Sequence, residues 1–279
     1  MFEPGQTRQL MRQFGIRADK SLGQNFLIEQ AALEKILLAG NVHNEDVVLE
    51  IGAGLGVLTC ALAARARHVI AIEFDNRLLP ALEYTTLAFD NVHLVHGDVL
   101  SLNLDTLTEG RMYKVVANIP YNITSRLIRH LMETAHPAEL VVLTIQREVA
   151  QRIVAGPGEM SLLALSVQIY GSPRIAAKIP AGSFYPRPSV DSSVIQIHVD
   201  KGNALSDQEM ETLFTLARAG FGQRRKQLKN ALSHGLGWGE EKTLKTLMQA
   251  GIDPTARAQA LEVEKWLDLT RVVLLGMGM

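Results

Sequence analysis

Three consecutive apolar runs in this chain end in residues whose types suit a nucleoside. Val47-Val48-Leu49-Glu50-Ile51 passes straight into Gly52-Ala53-Gly54-Leu55-Gly56, a turn stripped of side chains so that a ligand can approach the backbone. The next run ends at Ile72-Glu73, where a carboxylate can accept hydrogen bonds from both hydroxyls of a ribose. The third ends in His96-Gly97-Asp98, which puts a second acid at the same edge, able to accept from an adenine amino group. Either acid taken alone reads more readily as a helix cap or a solvated loop residue. Together with Gly52 they would converge on one ligand, because open α/β sheets bind beyond the carboxyl ends of their strands. The spacing Gly-x-Gly-x-Gly is not the dinucleotide fingerprint Gly-x-Gly-x-x-Gly, since residue 57 is Val57. That disfavours a pyrophosphate cradle and a nicotinamide dehydrogenase, for which a hydride-site base is also lacking.

These ends require a sheet to carry them. Apolar runs alternate with helical patterns from Gln30 to Val154, the signature of a doubly wound α/β domain. Strands are predicted over Val47–Ile51, His68–Ile72, Val92–His96, Lys114–Asn118 and Leu140–Gln146, with helices around Leu58–Ala66, Arg77–Leu87 and Ser125–Thr134. After Gly156-Pro157-Gly158 the pattern predicts β-rich stretches over Leu163–Ile169, Arg174–Ile179 and Ser193–Val199, extending the same sheet as antiparallel strands. From the N-cap candidate Ser206 onward the chain reads as helical, broken at Gly235-Leu236-Gly237 and Gly251-Ile252-Asp253-Pro254. The expected organisation is an α/β domain over residues 1–200 and a small all-helical domain over residues 201–279.

A chain of 279 residues, 47% hydrophobic, suffices for one large and one smaller core. The single cysteine, Cys60, lies among Leu58, Ala61 and Leu62, which excludes a disulfide framework and a cysteine-ligated metal site. No metal is expected, and a reducing cytoplasm is. Arg8, Arg12, Arg17 and Lys20 interrupt the N-terminal region, and no apolar run is long enough to cross a bilayer, so neither export nor a membrane span is predicted. The net charge of −1, with an isoelectric point near 6.7, sits awkwardly with a nucleic-acid partner. Locally, however, Phe221–Asn230 carries Arg224, Arg225, Lys226 and Lys229 without an acid. Such a run reads as readily as a solvated face.

A fourth apolar run, Val115-Val116-Ala117, leads into Asn118-Ile119-Pro120-Tyr121. This tetrapeptide resembles the motif of adenine-N6 methyltransferases, Asn or Asp, then x, then Pro, then Tyr or Phe. The residue types suit that chemistry. The exocyclic amine of adenine is a poor nucleophile, because its lone pair is delocalised into the ring. An amide oxygen on Asn118 and the main-chain carbonyl of Pro120, both accepting from the amine hydrogens, would draw the lone pair out of conjugation and aim it at a methyl group, with Tyr121 stacked on the base. As a short pattern it also reads as an ordinary turn, and its position after a buried strand is what gives it weight.

The whole chain is similar to the ribosomal RNA adenine dimethyltransferase family. Lys20-Ser21-Leu22-Gly23-Gln24-Asn25-Phe26-Leu27 matches its N-terminal signature, Ser183-Phe184-Tyr185-Pro186-Arg187-Pro188-Ser189-Val190-Asp191-Ser192 is similar to its proline-rich loop, and Phe221–Asn230 resembles the basic helix of its small-subunit branch. The resemblance implies a Rossmann-like class I methyltransferase fold with a C-terminal helical RNA- or ribosome-binding domain, and S-adenosylmethionine as cofactor. It implies cofactor contacts at Asn25, Leu27, Gly52, Gly54, Glu73, Asp98 and Asn118. Catalysis would fall to Asn118, Pro120, Tyr121 and Phe184, the last facing Tyr121 across the base, and RNA contacts to Lys20, Arg224, Arg225, Lys226 and Lys229. Asn25 and Leu27 rest on the resemblance alone; residue by residue the segment reads as a loop before a helix. The implied activity is dimethylation of two adjacent adenosines in a hairpin loop of small-subunit ribosomal RNA, within a pre-assembled 30S-type subunit, by a monomer. A large-subunit methyltransferase and a non-catalytic RNA-binding assembly factor on the same fold are the alternatives. The chain departs from the family's usual pattern at Leu162-Leu163, where Tyr-Gly is common, and at Arg257-Ala258-Gln259, where Arg-Ala-Glu is frequent.

Overall fold

The computed structural model describes residues 3–119, 124–200 and 205–277. It divides into two compact units, one running up to Ala150 and including Gly171–Asp200, the other made of Gln151–Tyr170 and the described residues after Asp200.

In chain order the first unit carries α1 (Thr7–Gln13), β1 (Phe26–Leu27), α2 (Gln30–Gly40), β2 (Val47–Ile51), α3 (Val57–Ala63), β3 (His68–Glu73), α4 (Leu79–Thr86), β4 (Val92–His96), α5 (Leu104–Thr108), β5 (Lys114–Asn118), α6 (Thr124–Met132) and β6 (Leu140–Gln146). Helix α7 (Arg147–Ile153) and α8 (Leu162–Gln168) follow, then β7 (Gly171–Ile179), β8 (Phe184–Tyr185) and β9 (Ser192–Val199). A seven-stranded sheet has the order β4-β3-β2-β5-β6-β9-β7. Its pairings are parallel as far as β6, and β9 is antiparallel to both neighbours. The five strands predicted for the parallel part and the antiparallel extension are therefore present.

Burial follows position in the sheet. Every residue of the central strand β2 is buried, as expected where helices cover both faces. The edge strand β7 instead alternates half-buried with exposed residues until Ile179. Between the neighbours β2 and β5 the strand order reverses, which opens the crevice of a doubly wound sheet at the carboxyl ends of these two strands. Side chains from α2, α3 and α4, including Ile36, Leu58, Leu62 and Leu82, pack with Val48, Val69 and Val116 to form the main core.

The second unit contains α7's last turn, α8, α9 (Asp207–Gly222), α10 (Leu228–Leu236), α11 (Glu240–Gln249) and α12 (Val263–Met277). Ser206 caps α9 as predicted, its hydroxyl accepting from Glu209 N at 3.3 Å while the Glu209 carboxylate accepts from Ser206 N at 2.9 Å, a reciprocal capping box. Trp266, fully buried, packs with Leu213, Leu228, Leu232 and Leu247 in this unit's own core.

Three expectations change. The sequence predicts a strand over Leu163–Ile169, yet Leu162–Gln168 is helical. An apolar run of this length fits either period, and the deciding residue is Ser161, whose hydroxyl accepts from Ala164 N at 3.2 Å and so caps a helix. Ala164, Leu165 and Ile169 then join the helical core, so the first unit is not simply residues 1–200. The basic segment is not a helix either. Arg224, Arg225 and Lys226 are exposed on the turn between α9 and α10, and only Lys229 lies on a helix. The family departures fall in this unit as well. Gln259 serves through its carbonyl, which accepts from Gly158 N at 2.8 Å and Met160 N at 3.3 Å, a role indifferent to an amide or an acid.

Candidate active site

A cleft of about 270 Å³ lies at the carboxyl ends of β2, β3, β4 and β5 and is lined by Gly52, Gly54, Glu73, Asp98, Asn118, Asn25 and Leu27, among others. All seven cofactor contacts expected from the sequence are thus brought together within the first unit.

The glycine turn is shaped by backbone that other residues adopt only with strain. Gly52, Gly54 and Gly56 have φ of 74°, 60° and 84°. At Gly56 a Cβ would also stand 2.4 Å from Thr85 Oγ1, so both the dihedral and the space require glycine. The turn is tied to the next strand, with Gly52 N donating to Ile72 O at 2.8 Å and Gly54 N to Glu73 Oε2 at 2.7 Å. Glu73 Oε1 accepts from Asp75 N at 2.8 Å. Each carboxylate oxygen therefore has one amide donor and keeps lone-pair capacity for a ribose hydroxyl. Burial raises the Glu73 pKa, and the amides of Asp75 and Gly54 oppose the rise. At the end of β4, Asp98 is exposed and its Oδ1 accepts from Leu100 N at 3.0 Å, an Asx turn that holds the acid at the cleft rim.

Asn118 closes β5. Its Nδ2 donates to the Asn25 carbonyl at 3.2 Å, which commits the amide nitrogen and leaves the oxygen as the acceptor for an incoming amine. Asn25 is itself fixed, its Nδ2 donating to Gly23 O at 2.9 Å. The segment read as a loop before a helix contains the short strand β1, antiparallel to β8 with Phe26 opposite Tyr185 and Leu27 opposite Phe184. That pairing joins the N-terminal signature to the proline-rich loop. Pro120 and Tyr121 lie outside the described residues.

Phe184 does not join the cleft lining. Its side chain is 2% exposed and packs in the main core with Leu27, because the β1–β8 pairing directs it inward. The exposed ring of this loop is Tyr185, with the Arg8 guanidinium 4.9 Å from its centroid. Lys20 is exposed.

Among the lining residues that the sequence reading did not single out, three carry side chains that could bear on a ligand. Phe74, 57% exposed, follows Glu73 and offers an aromatic face to the cleft. Arg126 reaches the cleft from α6. Glu50, 1% exposed, has Oε2 without a hydrogen-bond partner among the described residues. Its pKa is pushed up to about 8 by burial, reinforced by the Glu73 charge and eased by the Thr59 hydroxyl. A lone acid inside an otherwise apolar strand, two residues before a glycine turn, was the available signal. Among the described residues no cluster of His, Cys, Asp or Glu could hold a metal ion, and no helix is long and apolar enough to cross a membrane.

The donor set fits S-adenosylmethionine. Carboxylates at Glu73 and Asp98 suit a ligand bearing a sulfonium, an ammonium and a ribose diol, and the buried Glu50 carboxyl keeps one oxygen without a partner among the described residues, a polar group still to be matched.

A family model described as ribosomal RNA adenine dimethylase matches residues 15–273. The "Ribosomal RNA small subunit methyltransferase A" of Dehalococcoides mccartyi is 44% identical over 262 residues, covering 94% of this chain and 90% of that protein. Among solved structures, a dimethyladenosine transferase from Plasmodium falciparum superposes with a TM-score of 0.76 at 25% identity, covering 90% of this chain and 97% of that one. The 23S rRNA methyltransferase ErmE shares the fold, with a TM-score of 0.71 at 24% identity over 89% of this chain and 99% of its own. With a match across nearly its full length and a cleft built from the expected strand ends, this chain belongs to the ribosomal RNA adenine dimethylase family.

Proposed function

We propose that this chain transfers methyl groups from S-adenosylmethionine to the N6 amines of two adjacent adenosines in a hairpin loop near the 3′ end of small-subunit ribosomal RNA, twice to each, as a step of ribosome biogenesis. The observation that carries the reading is the placement of Asn118, its Nδ2 held by the Asn25 carbonyl, in the wall of the same cleft as Glu73 and the glycine turn. The cofactor supplies an electrophilic methyl group, and the sulfonium leaving group provides the driving force. Glu73 holds the ribose, Asp98 accepts from the adenine of the donor, and the glycine turn lets the nucleoside lie close to the main chain. The Asn118 amide oxygen and the Pro120 carbonyl accept from the target amine and localise its lone pair, while Tyr121 stacks on the flipped base. Proton loss can follow attack, so no strong base is required.

A base-stacking role for Phe184 requires its side chain to leave the core when RNA binds. Tyr185, already exposed beside it, is the alternative partner. For the phosphates, the supporting features are Lys20, the exposed turn with Arg224, Arg225 and Lys226, and Lys229. Arg8, Arg12 and Arg17 line a further hollow with Tyr185. Local clusters of this kind reconcile a net charge of −1 with an RNA partner. A partly assembled small subunit acted on by a monomer in the cytoplasm is the setting this reading adopts.

The test is transfer of labelled methyl groups from S-adenosylmethionine to unmethylated small-subunit particles, naked small-subunit RNA and large-subunit RNA, with mass analysis of the digested product. Dimethyladenosine in the small-subunit substrates alone supports the reading. Label in large-subunit RNA only, or RNA binding with no transfer, refutes it.

A further inference from the structure

Beside the cleft lies a ring of polar contacts that methyl transfer itself does not use. Leu22, Gly23, Gln24 and Asn25 form one wall of the cleft. Between α1 and β1 this stretch has no helix or strand to hold it. Side chains do so instead. Gln24 Nε2 donates to Asp75 Oδ2 at 2.8 Å, and Gln24 Oε1 accepts from Asp19 N at 2.8 Å. Arg77 grips Asp75 bidentately, Nε to Oδ1 at 2.8 Å and Nη2 to Oδ2 at 2.6 Å, and the same Nη2 reaches Asp19 Oδ2 at 3.1 Å. The contacts close a circuit through Asp19, Gln24, Asp75 and Arg77.

The circuit is wired to the cofactor site. Asp75 N donates to Glu73 Oε1, and the other Glu73 oxygen accepts from the glycine turn at Gly54. Asp75 is 6% exposed, and the Arg77 hydrogen bonds, helped by Gln24, hold its pKa down to about 2. A buried carboxylate next to Glu73 is costly unless it is paired, and the bidentate Arg77 grip supplies the pairing. Bidentate guanidinium pairs also fix geometry as well as charge.

We propose that Asp75 and Arg77 form a latch that clamps residues 19–25 against the cofactor cleft through Gln24, and that the cofactor enters and leaves when this strap lifts. All three are positioning residues, since they hold the cleft wall and the ribose carboxylate. The inference rests on the reading that the cleft takes an adenosyl cofactor. It predicts that latch strength sets cofactor residence time.

The experiment uses the full chain and S-adenosylhomocysteine as a non-reacting probe. Dissociation rates are read by stopped-flow competition, and strap opening by the rate of trypsin cleavage after the exposed Lys20. Gln24→Leu cuts the strap from an intact Asp75–Arg77 pair. Arg77→Gln cuts the latch at its centre, and Arg77→Lys keeps a charge but not the bidentate grip. Expected are about tenfold faster probe release in Gln24→Leu, equal to about 1.4 kcal/mol, faster cleavage after Lys20, and an unchanged ligand-free unfolding midpoint. Arg77→Gln should release the probe at least as fast, and Arg77→Lys should fall between it and the wild type. Wild-type release and cleavage rates in Gln24→Leu overturn the proposal, as does faster cleavage without faster release. Failure of the wild type itself to bind the probe instead sinks the cofactor reading, and the latch with it.

Discussion

Replacing Glu50 with Gln should remove a pH dependence of stability that the wild type carries. Glu50 sits on β2 with its carboxyl 1% exposed. From β3 it meets the Glu73 carboxylate and from α3 the Thr59 hydroxyl, while Asp98 and Arg126 line the same cleft. Burial lifts its pKa from 4.5 to about 8. A carboxyl raised in this way keeps its proton in the native state while the unfolded chain gives it up. Stability is therefore fully retained below about 4.5, falls as pH rises through the window, and levels off above about 8. At 1.36 kcal/mol per pH unit the full effect is about 5 kcal/mol, an upper figure because local relaxation and water entry soften such costs. Glutamine has nearly the same shape and no charge to gain. Urea unfolding of the ligand-free protein between pH 5 and 9 should show a wild-type stability that falls relative to Glu50→Gln by several kcal/mol. Slopes are the comparison, since a buried amide has its own unmet hydrogen bonds and shifts the baseline. Parallel profiles would show that Glu50 is ionised in the native state at neutral pH, or hydrated, and would refute the burial argument.

Asn118→Ala should lose methyl transfer by about two to three orders of magnitude, the usual cost of one polarising contact, while equilibrium binding of S-adenosylhomocysteine weakens by a much smaller factor; unaltered single-turnover rates would remove Asn118 from the chemistry. Gly56→Ala should destabilise the first unit by about 2 kcal/mol or more, because a left-handed φ of 84° and a 2.4 Å approach to Thr85 act together; a chemical-denaturation midpoint matching the wild type would mean the turn relaxes freely. Changing Arg224 and Arg225 together to Glu should weaken RNA binding and lower the slope of log affinity against log salt by about two, one for each phosphate no longer neutralised. An unchanged slope in fluorescence anisotropy titrations would place the RNA elsewhere.

The parallel strands were legible because a strand buried on both faces is a continuous apolar run, and Val47–Ile51 is buried at every residue. Their ends were legible because a glycine turn or an acid follows each run, at Gly52, Glu73 and Asp98. Leu163–Ile169 shows the limit of that signal. Apolar content says that a segment is buried, while the period, and here the Ser161 cap, says in what form. Phe184 illustrates the same limit at the site. The family resemblance implied a base-facing ring, while the residue itself reads as readily as a buried loop anchor, and the side chain follows strand pairing with Leu27 into the core.

What stayed illegible depends on sequence separation. Glu73 and Gly54 lie 19 residues apart, across one strand-helix-strand unit, where the connection rules of α/β folds determine which ends become neighbours. Asn118 and Asn25 are 93 residues apart, and Gln24 and Asp75 are 51 apart. No periodicity connects such pairs, since residues 19–25 are held by individual side-chain hydrogen bonds, flanked by an apolar cluster that takes Leu10, Ile16 and Ala18 before them and Phe26 after them. Such a wall is held locally and weakly compared with the sheet beneath it. The parallel strands can keep their geometry while residues 19–25 detach, which is the physical requirement for a cleft that must exchange its cofactor after every methyl transfer. The rigid strand ends determine what is bound, and the weakly held segment determines how long.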